Sequence, residues 1–329
     1  MPFHYLFGPV LSRRMGRSLG VDLVPLKTCS YGCVFCQLGQ TTVCTAERRE
    51  YVPLADVLRE LDTWHQEGGR ADFVTIAGSG EPTLHTGFGR VLDWIRSTTE
   101  IRSALLTNGS LLCMPEVRAD ARRADVVKAS LSAWDQASYE RVNRPHPSLR
   151  FDDLVAGLSA FRSQFAGELW IEVFLMAGIN DREEDVRRIA QHVVGIKPDR
   201  VHLNTAVRPA AEAYVKPLPE AALKALARLF RPEGEVTASA PARSTGLAHA
   251  ADRDVQGVDE SVYGLVTRHP GTAADVAEAL GLDLQDAIDR LERMAEEGRV
   301  TRQTLAGLTH YAPPQPGAGA AATSSRAVG

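Results

Sequence analysis

The segment Cys29-Ser-Tyr-Gly-Cys33-Val-Phe-Cys36 decides how the rest of the chain is read. It holds three of the five cysteines, spaced C-x3-C-x2-C. In a reducing compartment such a cluster reads as metal binding rather than as disulfides. Three thiolates on one short loop can wrap one corner of an iron–sulfur cube, and Gly32 eases the turn that aims them inward. Iron–sulfur ligation ordinarily takes four cysteines. With three, one iron keeps an open position at which a substrate can bind. Zinc is the competing reading, but structural zinc is closed by four ligands and no plausible fourth lies nearby. Cys44 and Cys113 are left over and read as ordinary small residues, with a hydrogen-donating thiol at Cys113 as the minor alternative.

Outward from this loop, short apolar runs alternate with amphipathic stretches. Strands are expected at Val21–Val24, Phe73–Ala77, Ser103–Leu106, Val126–Leu131, Leu169–Leu175 and Val201–Asn204, with a short late one at Val236–Ala238. Helices are expected at Leu54–His65, Phe88–Arg96, Phe151–Phe165, Glu183–Val193 and Glu220–Leu229. In the first, Leu54, Leu58 and Leu61 repeat at helical spacing behind Pro53. Strands alternating with helices predict a parallel sheet. Six such units curl into an α/β partial (β/α)6 barrel, whose chemistry belongs at the C-terminal ends of its strands.

The barrel is expected to occupy residues 1–232. A stretch weak in pattern, 233–257, reads as a linker. Residues 258–312 read as a small C-terminal winged-helix unit. Its helices are expected at Glu260–Arg268, Ala273–Leu280 and Asp283–Glu297, the second opened by a capping-box-like Thr272–Asp275 and closed by Gly281. Val300–Thr304 and Leu308–Tyr311 around Gly307 suggest a hairpin. The tail, 313–329, is rich in Pro, Gly, Ala and Ser and is expected to be disordered.

The spacing of the cysteines, with the aromatic Phe35 just before the last, resembles the signature of the radical S-adenosylmethionine superfamily. That resemblance implies a [4Fe–4S] cluster on Cys29, Cys33 and Cys36. S-adenosylmethionine would chelate the open iron, and one electron would break its sulfonium bond to give a 5′-deoxyadenosyl radical. It also implies cofactor contacts. Gly78-Ser79-Gly80-Glu81 follows a strand and resembles the segment that holds the methionine amino group, with the Glu81 carboxylate able to accept from an ammonium. Thr107-Asn108-Gly109 reads either as a simple turn or as the strand end beside the cofactor pocket. Ser130 aligns with a ribose-contacting serine, although Ser132 replaces the acid that usually follows it. Arg144 suits the methionine carboxylate or a surface salt bridge. The segment with Asn180 resembles the one near the adenine, and Asn204 and Arg208 fall where a barrel's pocket opens.

The opening Phe7–Leu23 with Cys36–Gly39 resembles a subgroup of cytoplasmic Fe–S oxidoreductases, broadly related to the wyosine-forming tRNA enzymes and to the molybdopterin-precursor synthase. The extra cysteines of those two enzymes are missing here, so neither function transfers. The net charge of −4 gives no electrostatic case for a large nucleic-acid footprint. Between Val258 and Ala312, ten acidic residues face five arginines, and the candidate recognition helix opens on carboxylates, so DNA binding is not expected. No stretch is long and apolar enough to cross a membrane, and the N-terminus does not resemble a signal peptide, so a cytoplasmic protein is expected. The expected function is a radical enzyme acting on a small-molecule or peptide substrate with a flavodoxin or ferredoxin type electron donor. The alternatives are a tRNA-modifying enzyme, for which Arg13, Arg14 and Arg17 could form a local phosphate contact, and a non-catalytic iron–sulfur sensor with a winged-helix output.

Overall fold

The computed structural model describes residues 3–12, 14–236, 255–305 and 307–314. Its strands are β1 (Leu6–Ser12), β2 (Gly16–Val21), β3 (Thr28–Cys29), β4 (Val43–Cys44), β5 (Phe73–Ile76), β6 (Arg102–Thr107), β7 (Val126–Ser130), β8 (Glu168–Phe174), β9 (Arg200–Asn204) and β10 (Glu235–Val236). Eight of them form one sheet in the order β1-β2-β5-β6-β7-β8-β9-β10. From β2 to β10 every neighbouring pair is parallel, while β1 runs antiparallel to β2. The two edges, β1 and β10, do not pair with each other among the described residues, so the barrel is partial.

Helices α1 (Leu54–Gln66), α2 (Phe88–Thr98), α3 (Pro115–Ala121), α4 (Gln136–Asn143), α5 (Phe151–Gln164), α6 (Glu183–Ile196) and α7 (Glu220–Ala227) lie between the strands in sequence and supply the crossovers a parallel sheet requires. Each turns one stripe inward. In α1 the buried residues are Leu54, Val57, Leu61 and Trp64, at the helical spacing of the sequence pattern.

The first strand differs from expectation. It covers Gly16–Val21 rather than Val21–Val24, and β1 precedes it as an antiparallel partner. Gly16, Ser18 and Gly20 mask its pattern. Gly20 is needed there, because a Cβ would lie 2.1 Å from the Phe7 ring that crosses it. Helices α3 and α4 were also not expected; each is a short connector, opened by Pro115 and by an Asp135 capping box respectively. The late strand is seen as Glu235–Val236, and the rest of its predicted span lies outside the described residues.

Downstream come α8 (Val255–Arg268), α9 (Ala273–Leu280), α10 (Leu284–Glu296) and the antiparallel hairpin β11 (Thr301–Leu305) with β12 (Leu308–Ala312). Thr272 and Asp275 cap α9 reciprocally, and Gly281 ends it in the left-handed conformation. The core of this unit includes Val262, Leu265, Leu291, Met294 and Tyr311, and also Phe7 of β1. The β1–β2 hairpin is therefore the ridge on which the C-terminal helices rest. The expected linker falls mostly, and the expected disordered tail almost wholly, outside the described residues. No described helix is long and apolar enough to cross a membrane.

Gly195 lies exposed near the end of α6, and a Cβ there would meet nothing within 4 Å. Gly195→Ala is expected to raise stability by about 0.5–1 kcal/mol by removing backbone freedom from the unfolded chain. Urea denaturation checks this.

Candidate cofactor site

Cys29 ends β3, and its ladder partner in β4 is Cys44. The loop beyond is held by backbone bonds from Gly32 N to Arg144 O (3.0 Å) and from Val34 N to Val142 O (3.1 Å), at the end of α4. The three thiols are partly exposed. Amide donors aim at two of them: Asn108 Nδ2 is 3.7 Å from Cys29 Sγ, and Asn143 Nδ2 is 3.5 Å from Cys33 Sγ. The backbone N–H of Tyr31 also donates to Cys29 Sγ, at 3.5 Å. Burial pushes the Cys33 thiol up to about 12, and Cys29 well above the ordinary value. Such thiols ionise only when a cation offsets the desolvation. Beside them Lys27, itself buried, donates from Nζ to Leu38 O, and burial pulls its ammonium down to about 8.

The donor set fits an iron–sulfur cluster better than a single ion. Among the described residues, no three His, Cys, Asp or Glu side chains are grouped around one metal position. A single zinc needs its ligands within about 2.3 Å of one point. A cube spreads its thiolates over separate irons.

The strand-end residues gather against this loop. Gly80 is in direct backbone contact with it, since a Cβ would lie 1.7 Å from Thr28 O. Gly78 takes a φ of +139° over Asp22. Glu81 is buried and its carboxylate accepts four hydrogen bonds: Thr83 N (3.1 Å), Thr83 Oγ1 (2.5 Å) and Thr107 Oγ1 (2.6 Å) on Oε1, and Asn108 N (2.7 Å) on Oε2. Its first task is thus to join the β5 turn to the end of β6. Asn108 continues the chain of contacts to the cluster loop, donating to Ser30 Oγ at 2.8 Å. Phe35 stacks on Phe174 with centroids 4.2 Å apart and planes 11° from parallel. Ser130 and Asn204 end β7 and β9, both partly exposed.

Two of the candidate residues already have partners within the chain. Arg144 pairs with Glu212 and donates to Tyr214 Oη at 3.2 Å, so its guanidinium already has an acid. Asn180 is fully buried, and its side chain is spent on Met176 N, Ser132 O and Phe174 O. It shapes the loop, leaving Gly178 and Ile179 to face outward. These two line an open groove of about 610 Å³ with Val34, Trp134 and Tyr214, a volume suited to a small molecule.

Residues 23–191 match the Radical SAM superfamily. The chain belongs to that superfamily. It is therefore a radical S-adenosylmethionine enzyme, and its cofactors are a [4Fe–4S] cluster and S-adenosylmethionine. Among its relatives, a UPF0026 protein of Methanocaldococcus jannaschii is 30% identical over 308 residues, covering 93% of this chain and 94% of that one. A protein of Brachyspira hyodysenteriae named GTPase Obg is 34% identical over 307 residues, covering 93% of this chain but only 45% of its own length. This chain thus spans less than half of that relative. A radical SAM methyltransferase structure from Sphaerobacter thermophilus aligns over 67% of this chain and 65% of its own, with 17% identity and a TM-score of 0.49.

Several partners escaped sequence reading. Asn143, next to Arg144, is an uncharged amide that no sequence motif singles out, yet it reaches Cys33 Sγ. Asp22 is buried and accepts from Ser79 N (3.1 Å), Ser79 Oγ (2.5 Å) and Arg268 Nε (2.7 Å). Arg208 bridges Gln37, at 3.1 Å, and His269, at 3.0 Å. These contacts join residues far apart in sequence, and no local pattern announces them.

Inside the barrel, Met15, Phe73, Ala104, Val126 and Trp170 form an apolar floor. Above it lies a charged group of Arg14, Lys128 and Glu172, with His202 beside it. Burial pushes the Glu172 carboxyl up, but Lys128 and Arg14 outweigh it and hold the group at about 2. Burial, then Arg14 and Lys128, push His202 down to about 3 from 6.5. Both residues favour the folded state at neutral pH. Unfolded His202 takes up a proton that the folded residue refuses, so stability falls as pH drops from 6.5 toward 3. Glu172 adds a second loss between 4.5 and about 2. Each proton contributes a slope of about 1.4 kcal/mol per pH unit. In urea titrations between pH 7 and pH 5, about one such slope should vanish in His202→Gln.

Proposed function

We propose that Cys29, Cys33 and Cys36 ligate the cluster, and that the enzyme cleaves S-adenosylmethionine reductively to abstract hydrogen from a small-molecule or peptide substrate. The observation that carries this reading is the trio of thiols on one loop, with amide donors on two sulfurs, set against the ends of β5 and β6. When bound, the cluster supplies the electron that breaks the sulfonium bond and yields a 5′-deoxyadenosyl radical. The residues of the chain bind and orient. Gly78 and Gly80 let the β5 turn come close to the methionine end of the cofactor. Glu81 Oε2 accepts one bond and keeps a lone pair for the ammonium. Thr107 and Asn108 fix that carboxylate, and Asn108 ties it to the cluster loop. Ser130 and Asn204 serve the ribose side of the pocket. Phe35, with Gly178 and the backbone at Asn180, borders the adenine side. Arg144 reaches the methionine carboxylate only by exchanging Glu212 for it.

The electron donor is of flavodoxin or ferredoxin type. The net charge of −4 favours a small molecule or peptide over tRNA. The test is anaerobic: reconstitute with iron and sulfide, add S-adenosylmethionine and dithionite, and measure 5′-deoxyadenosine by chromatography. Product is expected. A fully loaded protein that neither binds nor cleaves S-adenosylmethionine would overturn the reading in favour of a sensor.

A further inference from the structure

Lys27 stands two residues before Cys29 and is only 6% exposed. It takes a φ of 66°, a backbone conformation that glycine adopts more easily. Three backbone bonds pin it there. Its N–H donates to Ser79 O at 2.8 Å, and its carbonyl accepts from Thr42 N and Val43 N, each at 3.2 Å. Its ammonium reaches across the cysteine loop and donates to Leu38 O, two residues past Cys36. That bond joins the two ends of the loop, so all three cysteines lie in sequence between the lysine and its acceptor.

What the ammonium lacks is an anion. A neutral carbonyl takes one of its three N–H donors, and among the described residues it forms no ion pair. The charges that bear on it are those of Cys36 and Cys29. The arginines at the rim of the loop are engaged elsewhere: Arg144 meets Glu212, and Arg208 bridges Gln37 and His269. A buried cation without a counter-ion is costly, so a mere clasp would be better served by a neutral donor. A cube held by three thiolates supplies the missing anion. It carries net negative charge, and the electron from a flavodoxin- or ferredoxin-type donor adds to it. A positive charge fixed beside the cube therefore favours its reduced form.

We infer that Lys27 is the built-in counter-charge of the cluster, and that its ammonium holds the reduction potential up so that the donor can deliver its electron. This rests on the radical reading above and adds how the chain tunes the electron transfer.

The test uses the full chain, reconstituted anaerobically with iron and sulfide and titrated with dithionite at pH 7 without S-adenosylmethionine. The paramagnetic resonance signal of the reduced cluster gives the midpoint potential of the loaded molecules, whatever the extent of loading. Lys27→Met removes both charge and donor, Lys27→Gln keeps a donor without the charge, and Lys27→Arg keeps the charge. Both neutral variants should be at least tenfold harder to reduce, a downward shift of about 59 mV for one electron. Lys27→Arg should stay near the parent. A parental potential in either neutral variant would overturn the inference and leave Lys27 a clasp, as would a shift in Lys27→Arg equal to theirs. Loading that survives only in Lys27→Arg would show the same need for charge, whereas loading lost in all three variants would overturn it. 5′-Deoxyadenosine formation by the parent is measured alongside. Cleavage by a parent whose potential the neutral variants do not change removes only the counter-charge, whereas a charge-sensitive potential without cleavage removes only the radical reading.

Discussion

Cys33→Ala is expected to carry less than a full cluster after reconstitution and to form no 5′-deoxyadenosine above background. The three-cysteine set has no spare member. Cys33 also receives the Asn143 amide at 3.5 Å, so the substitution removes both a ligand and the acceptor of a buried donor. The remaining thiols differ in position. Cys44 is exposed on β4 beside Cys29, with Sγ 3.7 Å from Ser30 O, and Cys113 donates to Ser110 O at 3.5 Å. Cys44→Ala and Cys113→Ala should therefore keep iron, sulfide and product at parental levels. Iron and sulfide analysis with product chromatography on all three variants is the check. Full cluster content and cleavage in Cys33→Ala would mean that the ligand set has been assigned wrongly.

Gly80→Ala should be the most damaging single methyl in the molecule's cofactor region. The new Cβ would fall 1.7 Å from Thr28 O and 2.7 Å from Thr28 C. These are backbone atoms of the residue before Cys29, so no rotamer relieves the clash. The same carbonyl accepts Glu81 N at 3.2 Å, and that bond must open as well. The turn after β5 and the cluster loop must then separate. A loss of about 3 kcal/mol is expected from overpacking of this kind, together with loss of cluster loading. Gly178→Ala is the control. Its φ of +73° strains any side chain, but nothing lies within 4 Å of the added carbon. It should cost only about 1–2 kcal/mol. Denaturant titration of the two variants, with iron analysis, separates a collision from a mere backbone preference.

The parts of this protein that are legible in sequence are those encoded over short distances. The cysteine loop, the glycine turn after β5 and the capping box of α9 each reside within a few residues. The apolar strands β5 to β9 also read clearly, because burial on both faces makes them nearly continuous hydrophobic runs. β1 and β2 did not. Their glycines and serines exist to accommodate Phe7 and the lumen, and these needs are set by residues elsewhere. Arg144 shows the same limit in the site. Its residue type is right for a carboxylate, and only the fold reveals that Glu212 and Tyr214 already meet it. Asn180 likewise carries a polar side chain at a pocket edge, yet its three side-chain bonds all go to backbone atoms that hold the loop's shape.

The Asp22 carboxylate has a consequence for how the two halves of the chain can behave. It is 4% exposed, and it holds the Ser79 turn with one hand and Arg268 of α8 with the other. Cutting away the C-terminal helices would take the cation from that carboxylate, directly under the turn that includes Gly78 and Gly80. The C-terminal segment is thus no detachable passenger. Thermodynamic reciprocity then runs both ways. Whatever firms the turn also firms the grip on α8, and whatever seizes the C-terminal helices from outside is felt at the strand ends through a single shared anion.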